Sequence, residues 1–207
     1  MNKETTAEMK ISNVLAFTIP SNEVMAWLHD RLESSADERG ILDVAYKTID
    51  TPVGSLLLAA TKKGLLRVAF QVEGFDEVLE LLARKVSQRI LKAPKRLDTA
   101  AFEIDEYFAR TRTRFDLPLD FSLSSGFRQV VQRHLPNIAY GQTTSYQHVA
   151  ALVGNPRAVR AVGTACAKNP LPIVVPCHRV LRSDGGLGGY AGGLAVKSAL
   201  LQLENAR

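Results

Sequence analysis

Cys177 is the residue of this sequence best suited to covalent chemistry. It follows the apolar run Ile173–Val175, lies between Pro176 and His178, and has Arg179 two positions further on. A free thiol has a pKa of about 8.5 and is only a few per cent thiolate at neutral pH, so a neighbouring group must activate it. His178 can accept the proton, and the charge of Arg179 can favour the thiolate. The pattern predicts a nucleophilic cysteine.

Cys166 and Glu204 could each take part in this site or have only a structural role. Cys166 lies on the apolar face of a predicted helix, so we expect it in the core. Glu204 follows Leu200 by four positions, at the edge of the apolar face of the last predicted helix. A carboxylate there is either solvated or the partner of a buried histidine. In the second case Cys177, His178 and Glu204 would form a relay in which the carboxylate orients the base.

The segment 185–193 is rich in glycine. It is either a flexible loop or a place where the backbone comes close to a flat ligand. It is not a phosphate-binding loop, because no lysine and hydroxyl residue follow the glycines in the required pattern. The four histidines and two cysteines show no convincing metal-ligand spacing. The sequence therefore predicts neither a metal nor a cofactor.

The composition predicts a soluble intracellular protein. The 207 residues are 46% hydrophobic, which suits one large domain or two small ones with a real core. No apolar run approaches a membrane span, and the N-terminus has no secretory signal. The two cysteines do not suggest a disulfide framework. We expect reduced thiols and a cytoplasmic location, or a nuclear one in a eukaryotic cell.

Positive charge is concentrated in the C-terminal part of the chain. From Leu123 onwards there are 9 lysines and arginines against 2 aspartates and glutamates, whereas the rest of the chain has 17 against 19. This asymmetry predicts a polyanionic partner, with nucleic acid as the leading candidate. The alternative is a basic surface that only keeps the protein soluble.

The local patterns predict an α+β fold, with a small sheet before a mostly helical part. A three-stranded antiparallel meander is indicated by apolar runs between turn signals, at 44–49, 55–60 and 65–70. Helical spacing follows from Phe75 to Val86, and a second short helix should hold Phe102 and Phe108. The predicted units are an N-terminal extension, a sheet domain and a helical domain, over 1–39, 40–121 and 122–207.

A helix-turn-helix is predicted in the basic part. Thr144 and Gln147 resemble a capping box at the start of the first helix, and Asn155 would cap the second. The second helix would carry a basic exposed face, formed by Arg157, Arg160, Thr164 and Lys168. Two short helices with a basic second one are typical of DNA-binding proteins, although an ordinary helical hairpin has a similar pattern.

The motifs taken together resemble the O6-alkylguanine-DNA alkyltransferase family, also called methylated-DNA–protein-cysteine methyltransferases. The matching stretches, in the family's order and spacing, are Tyr140–Tyr146, Arg160–Gly163, Asn169–Pro170, Pro176–Val180, Gly189–Tyr190 with Gly192–Leu194, and Leu200–Leu201 with Glu204. The resemblance runs from about Val44 to the end of the chain. It departs from many members at Gln132, where they have tryptophan, at Ala139, where they have proline, and at Ala191, where some have serine.

The resemblance implies how DNA would be bound. The helix-turn-helix would lie against the minor groove, where Ala158 and Ala161 would permit close approach. Arg160 would enter the base stack in place of the extruded nucleotide, and Tyr146 would press on the neighbouring phosphate. Thr143 and Gly163, from the same motifs, are further candidate DNA contacts.

The resemblance also implies a pocket for the extruded base. Asn169 would brace the turn beneath the active-site strand. The main-chain carbonyls of Cys177 and Val180 would accept from the guanine amino group, and the Tyr190–Ala191 segment would close over the base and donate an N–H to O6. The sheet domain would be of ribonuclease H-like type.

The expected reaction is irreversible transfer of an alkyl group from O6-alkylguanine in double-stranded DNA to Cys177, with O4-alkylthymine as a further candidate lesion. An alkyl group inside a stacked duplex is out of reach of a side chain, so the base must be flipped out. A single turnover, no cofactor and a monomer in solution are predicted. A non-catalytic reader of alkylated bases, or a DNA-binding regulator, remains an alternative. A cysteine hydrolase is the other, although neighbouring strand residues such as Cys177 and His178 usually point to opposite faces.

Overall fold

The computed structural model describes residues 20–205, apart from the side chain of Asp37. The chain divides into two compact units between Leu42 and Asp43, and each is described by itself. Residues 1–19 of the predicted extension lie outside the described residues. No helix in the described range is long and apolar enough to cross a membrane.

Helix α1, Asn22–Glu38, belongs to the first unit. Its start is stabilised by Ser21, whose hydroxyl accepts a hydrogen bond from the backbone N–H of Val24 at 3.3 Å. The helical spacing of Val24, Trp27, Leu28 and Leu32 after Pro20–Ser21 predicts a helix here, and the structure confirms it. The apolar side chains on its predicted face are 45–54% exposed, namely Val24, Trp27, Leu28 and Leu32.

A four-stranded sheet forms the first part of the second unit. The three predicted strands are confirmed as β1 (Val44–Ile49), β2 (Leu56–Thr61) and β3 (Gly64–Phe70), paired antiparallel in sequence order. A fourth strand, β4 (Ile90–Lys92), pairs parallel with β1, so the order is β3-β2-β1-β4. The α+β class is confirmed. The expectation of a purely antiparallel, three-stranded sheet was wrong, because a strand of three residues is too short to show alternation.

Two helices accompany this sheet. Helix α2 (Phe75–Lys85) buries Val78 and Leu82 in a cluster with apolar side chains of β1, β2 and β3. Helix α3 (Asp98–Phe108) buries Ile104 and Tyr107, as its apolar spacing requires. The helix predicted to hold Phe102 and Phe108 is confirmed. Phe102 itself is 61% exposed, so it does not lie on the buried face of this helix.

The C-terminal part is mostly helical, as predicted. Its elements, with two short paired strands, are α4 (Gly126–His134), β5 (Thr144–Ser145), α5 (Tyr146–Leu152), α6 (Val159–Ala167), β6 (Val180–Leu181) and α7 (Gly193–Leu203). Helices α5 and α6 contact each other and correspond to the predicted helix-turn-helix.

Both predicted helix caps in this region were wrong. Ser145 caps α5, because its hydroxyl accepts from His148 N at 3.0 Å. Thr144 is instead the β5 residue that pairs with Val180. Asn155 does not cap α6; its carbonyl accepts from Ala158 N at 2.9 Å in a turn, and Ala158 is the N-cap. The turn before α6 is therefore longer than expected.

The edge strand β3 meets the segments that carry the predicted site. Val68 N donates to Pro170 O at 2.9 Å, directly after Asn169. The ring of Phe70 contacts the ring of Tyr190, with centroids 5.6 Å apart. The sheet thus supports the active-site turn and the glycine-rich segment. The proposed division after residue 121 stays a prediction.

Candidate active site

Cys177 begins a single 3-10 turn, Cys177–Arg179, and is 4% exposed. Burial raises the pKa of its thiol to about 11, although a hydrogen bond from Asn169 and the charge of Lys197 act in the opposite direction. The resting cysteine is therefore a thiol at neutral pH. It needs a base to become a nucleophile.

Asn169 is fixed by three hydrogen bonds. Its Nδ2 donates to Val175 O at 2.8 Å and to Cys177 Sγ at 3.2 Å. Its Oδ1 accepts from Leu171 N at 3.0 Å. The structure places Asn169 beneath the active-site turn and also in contact with the sulfur, where an N–H donor favours the thiolate.

Glu204 ends α7 and its carboxylate is buried at the centre of a hydrogen-bond cluster. Oε1 accepts from His178 Nε2 at 2.8 Å and from Tyr107 OH at 2.7 Å. Arg179 makes a bidentate pair with both oxygens at 2.9 Å, and Gly141 N donates to Oε2 at 3.3 Å. Burial would raise the pKa of Glu204, but the bonds from His178 and Arg179 lower it to about 2. The carboxylate is ionised.

His178 is fully buried next to Cys177 in sequence. Because an ionised carboxylate only accepts hydrogen bonds, Glu204 requires the proton on Nε2 and leaves Nδ1 with a lone pair. Nδ1 is buried and has no hydrogen-bond partner among the described residues. Burial lowers the pKa of His178, although Glu204 opposes this shift. The imidazole is neutral and has the tautomer of a base.

Arg179 does not have the expected role. Its guanidinium pairs with Glu204 and donates to Ile138 O at 2.6 Å. The cation that lowers the pKa of Cys177 is Lys197, which is fully buried and donates to Val180 O at 2.7 Å.

Lys197 and Tyr107 are two site residues that the sequence analysis missed. A signal existed for Lys197, since it lies three and seven positions before Leu200 and Glu204 and thus shares their helix face. No local signal existed for Tyr107, whose partner Glu204 is 97 residues away in the chain.

The predicted DNA-contact residues lie on or beside the helix-turn-helix. Arg160 and Ala161 are exposed on α6, and the Thr164 hydroxyl donates to Arg160 O at 3.1 Å. The remaining candidates are all half-buried: Thr143, Tyr146, Ala158 and Gly163. The predicted basic face is exposed along α6 and its ends, at Arg157, Arg160, Thr164 and Lys168.

Of the predicted base-pocket residues, Val180 directly follows the active-site turn and Tyr190 lies near His178. Val180 is fully buried and its carbonyl already accepts from Lys197; a carbonyl can accept a second bond. Tyr190 is half-buried, with its ring 6.3 Å from that of His178, and Ala191 beside it is also half-buried. Phe70, which the sequence analysis missed, contacts Tyr190 from the sheet.

Two family models match the chain. The model described as "6-O-methylguanine DNA methyltransferase, ribonuclease-like domain" matches residues 44–121, and the one described as "6-O-methylguanine DNA methyltransferase, DNA binding domain" matches residues 126–206. The chain belongs to the 6-O-methylguanine DNA methyltransferase family. The resemblance inferred from the motifs is confirmed.

Similar proteins from other organisms support the same family membership. A methylated-DNA–protein-cysteine methyltransferase of Methanosarcina barkeri is 40% identical over 159 residues, covering 77% of this chain and 96% of the relative. The Homo sapiens protein of that name is 36% identical over 166 residues, covering 77% and 80%.

Two solved structures show the same fold. The O6-methylguanine methyltransferase of Mycobacterium tuberculosis matches with a TM-score of 0.69 at 38% identity, covering 78% of this chain and 93% of that one. A Mycobacterium tuberculosis structure in complex with DNA matches with a TM-score of 0.67 at 38% identity, covering 78% and 92%.

Tyr146 explains one glycine of the glycine-rich segment. A Cβ added to Gly188 would lie 2.1 Å from the Tyr146 hydroxyl oxygen. The Tyr146 ring lies 5.9 Å from Lys197 Nζ, and burial raises the pKa of its hydroxyl to about 12. The predicted close approach of this segment to a flat ligand stays a prediction; at Gly188 the backbone comes close to a protein side chain.

Gly188→Ala is expected to displace Tyr146 and slow methyl transfer from duplex DNA about tenfold, because small displacements of positioning groups are costly to rate. The matched control is Gly189→Ala, since an added Cβ at Gly189 meets nothing within 4 Å. Single-turnover rates on one methylated duplex compare the two variants. Equal rates in the two variants would contradict the proposed contact of Tyr146 with the neighbouring phosphate.

Proposed function

We propose that this protein repairs double-stranded DNA by moving the alkyl group of O6-alkylguanine onto the sulfur of Cys177. One observation carries the proposal: a buried thiol lies beside a neutral His178 that the ionised Glu204 holds in the tautomer of a base. The family to which the chain belongs supplies the substrate class. O4-alkylthymine is a second candidate lesion.

The proton must first leave Cys177. Because no hydrogen bond joins Cys177 to His178 among the described residues, a bridging water would carry the proton from Sγ to Nδ1. The resulting thiolate is stabilised by the Asn169 amide and by the charge of Lys197. His178 is needed as the proton acceptor because the thiol pKa, about 11, leaves little thiolate at neutral pH.

The thiolate then displaces guanine from the alkyl carbon. The S–C bond forms as the C–O6 bond breaks, and guanine leaves with the electron pair. A backbone N–H of the Tyr190–Ala191 segment would donate to O6. The departing guanine takes up one proton, which balances the proton that Cys177 gave to His178. The carbonyls of Cys177 and Val180 would accept from the guanine amino group. We propose that the thioether is not cleaved again, so that each molecule reacts once without a cofactor.

Base flipping would depend on the helix-turn-helix. Arg160 is exposed on α6, where its guanidinium can replace the extruded base in the stack. Ala158 and Ala161 leave room for the minor groove, and Thr143, Tyr146 and Gly163 would complete the contacts. Basic side chains on this surface offset part of the flipping cost by neutralising phosphates. We propose that one monomer acts on one lesion.

The test is mass spectrometry after incubation with duplex DNA containing O6-methylguanine. We expect one methyl group per protein, on the Cys177 peptide, with guanine restored in the DNA. The Cys166 peptide is an internal control, since burial raises the pKa of that thiol far above its usual range. A duplex without the lesion is the second control. DNA binding with an unmodified Cys177 would favour the non-catalytic reader.

A further inference from the structure

Gln132 is a fully buried amide on helix α4 with two hydrogen bonds to one end of another helix. Its Nε2 donates to Ala165 O at 2.9 Å and to Lys168 O at 3.2 Å, at the C-terminus of α6. Backbone carbonyls in the last turn of a helix have no partner within that helix. Gln132 supplies partners for two of them.

The need for the first bond follows from the backbone. In a continuing α-helix, Asn169 N would donate to Ala165 O. Here Asn169 N donates to Cys166 O at 3.2 Å, which leaves the Ala165 carbonyl for Gln132. The amide therefore stabilises the point where α6 ends and the active-site turn begins.

The second bond acts on the peptide group that carries Asn169. The Lys168–Asn169 peptide is planar, so fixing its carbonyl and its N–H fixes the whole group. Gln132 holds the carbonyl oxygen, and Cys166 O holds the N–H. The side chain of Asn169 then reaches Cys177 Sγ at 3.2 Å. A continuous set of contacts leads from α4 to the nucleophile.

Burial of Gln132 leaves one of its polar atoms without a hydrogen bond. Its Oε1 is buried without a hydrogen-bond partner among the described residues, and an unsatisfied buried acceptor destabilises the folded state. Turning the amide over would set its oxygen against two carbonyl oxygens, so the observed orientation is the one that bonds.

We propose that Gln132 is a positioning residue for the nucleophile, which holds the Lys168–Asn169 peptide so that Asn169 stays bonded to Cys177 Sγ. This inference rests on the proposed function only in naming Cys177 as the nucleophile. It links the C-terminal end of the DNA-facing helix to the reactivity of the thiol. Loss of the link would weaken a hydrogen bond that favours the thiolate.

The test uses Gln132→Met, which keeps the size of the side chain and removes both donors. Alkylation of Cys177 by iodoacetamide is followed against pH by quantifying the modified peptide, and methyl transfer from duplex DNA is measured in parallel. We expect the pH profile to move to higher pH and both rates at neutral pH to fall about three- to tenfold, the effect of one hydrogen bond. If Gln132→Met does not fold, Gln132→His, which keeps one donor, should show a smaller shift in the same direction.

Gln129→Met is the matched control. Gln129 lies on the same helix and its Nε2 donates to Phe121 O and Ser124 O, both at 3.1 Å, far in sequence from the active-site turn. We expect it to lose thermal stability without a change in the pH profile. A Gln132 variant that loses stability but keeps the wild-type profile would overturn the proposal. A wild type that reacts with iodoacetamide but takes no methyl group from DNA would instead overturn the proposed function.

Discussion

Glu204→Gln is expected to slow methyl transfer about 100-fold, because the histidine loses the group that selects its tautomer. The ionised carboxylate can only accept from His178 Nε2, at 2.8 Å. A glutamine amide can instead donate to Nε2, and this would move the imidazole proton to Nδ1. Nδ1 then could not receive the proton of Cys177. The loss should appear in the chemical step and not in DNA affinity.

The same substitution should lower the free energy of unfolding by about 3 kcal/mol, because it leaves a buried guanidinium without its carboxylate. Arg179 makes two bonds of 2.9 Å to Glu204 and has 6% of its side chain exposed. Folding lowers the pKa of Glu204 from 4.5 to about 2. The ionised state therefore stabilises the protein fully above pH 4.5, and this contribution is lost as the pH falls towards about 2. The difference between variant and wild type should shrink over that range.

Denaturant unfolding at several pH values and single-turnover transfer measure the two effects separately. Glu103→Gln is the matched control. Glu103 is also buried, and its Oε2 accepts from Asp116 N at 2.9 Å and lies 3.4 Å from Arg112 Nη1. Among the described residues it makes no hydrogen bond or ion pair with His178. We expect it to lose stability and keep the transfer rate. An unchanged rate in Glu204→Gln would remove the carboxylate from the relay.

The sequence was informative where the physical signal is local. The strands between Val44 and Phe70 were found because alternation and turn residues define them within a few positions. Cys177, His178 and Glu204 could be grouped because a reactive cysteine, a base and a carboxylate on a helix edge are recognisable residue types. Strand β4 was missed because its parallel partner, β1, is distant in the chain.

Polar residues whose role depends on burial were harder to predict. The helical spacing places Lys197 on the same face as Leu200 and Glu204, but only the fold reveals that it is enclosed next to Val180 O. Arg179 was assigned to the thiolate because the two residues are close in sequence, but its side chain extends to Glu204. Tyr107 reaches the relay from α3. Sequence proximity therefore predicted the site but not all of its electrostatic partners.

Arg160→Ala is expected to reduce transfer from duplex DNA about 30- to 100-fold and to leave transfer from the free base O6-methylguanine nearly unchanged. Flipping a base out of a duplex costs a few kcal/mol, and each 1.4 kcal/mol lost is about tenfold in rate. Among the described residues, the guanidinium of Arg160 makes no hydrogen bond or ion pair that its removal would break. Thermal stability should therefore stay at the wild-type value.

Arg157→Ala is the matched control for Arg160→Ala, because Arg157 is exposed beside the same helix but is not proposed to enter the stack. It should weaken binding by no more than a phosphate contact does, an effect that salt diminishes. A lesion opposite an abasic site should partly rescue Arg160→Ala, since the base is already unpaired and easier to extrude. Equal losses on duplex and free base would place the defect in the chemistry at Cys177. In that case the intercalating role of Arg160 would have to be abandoned.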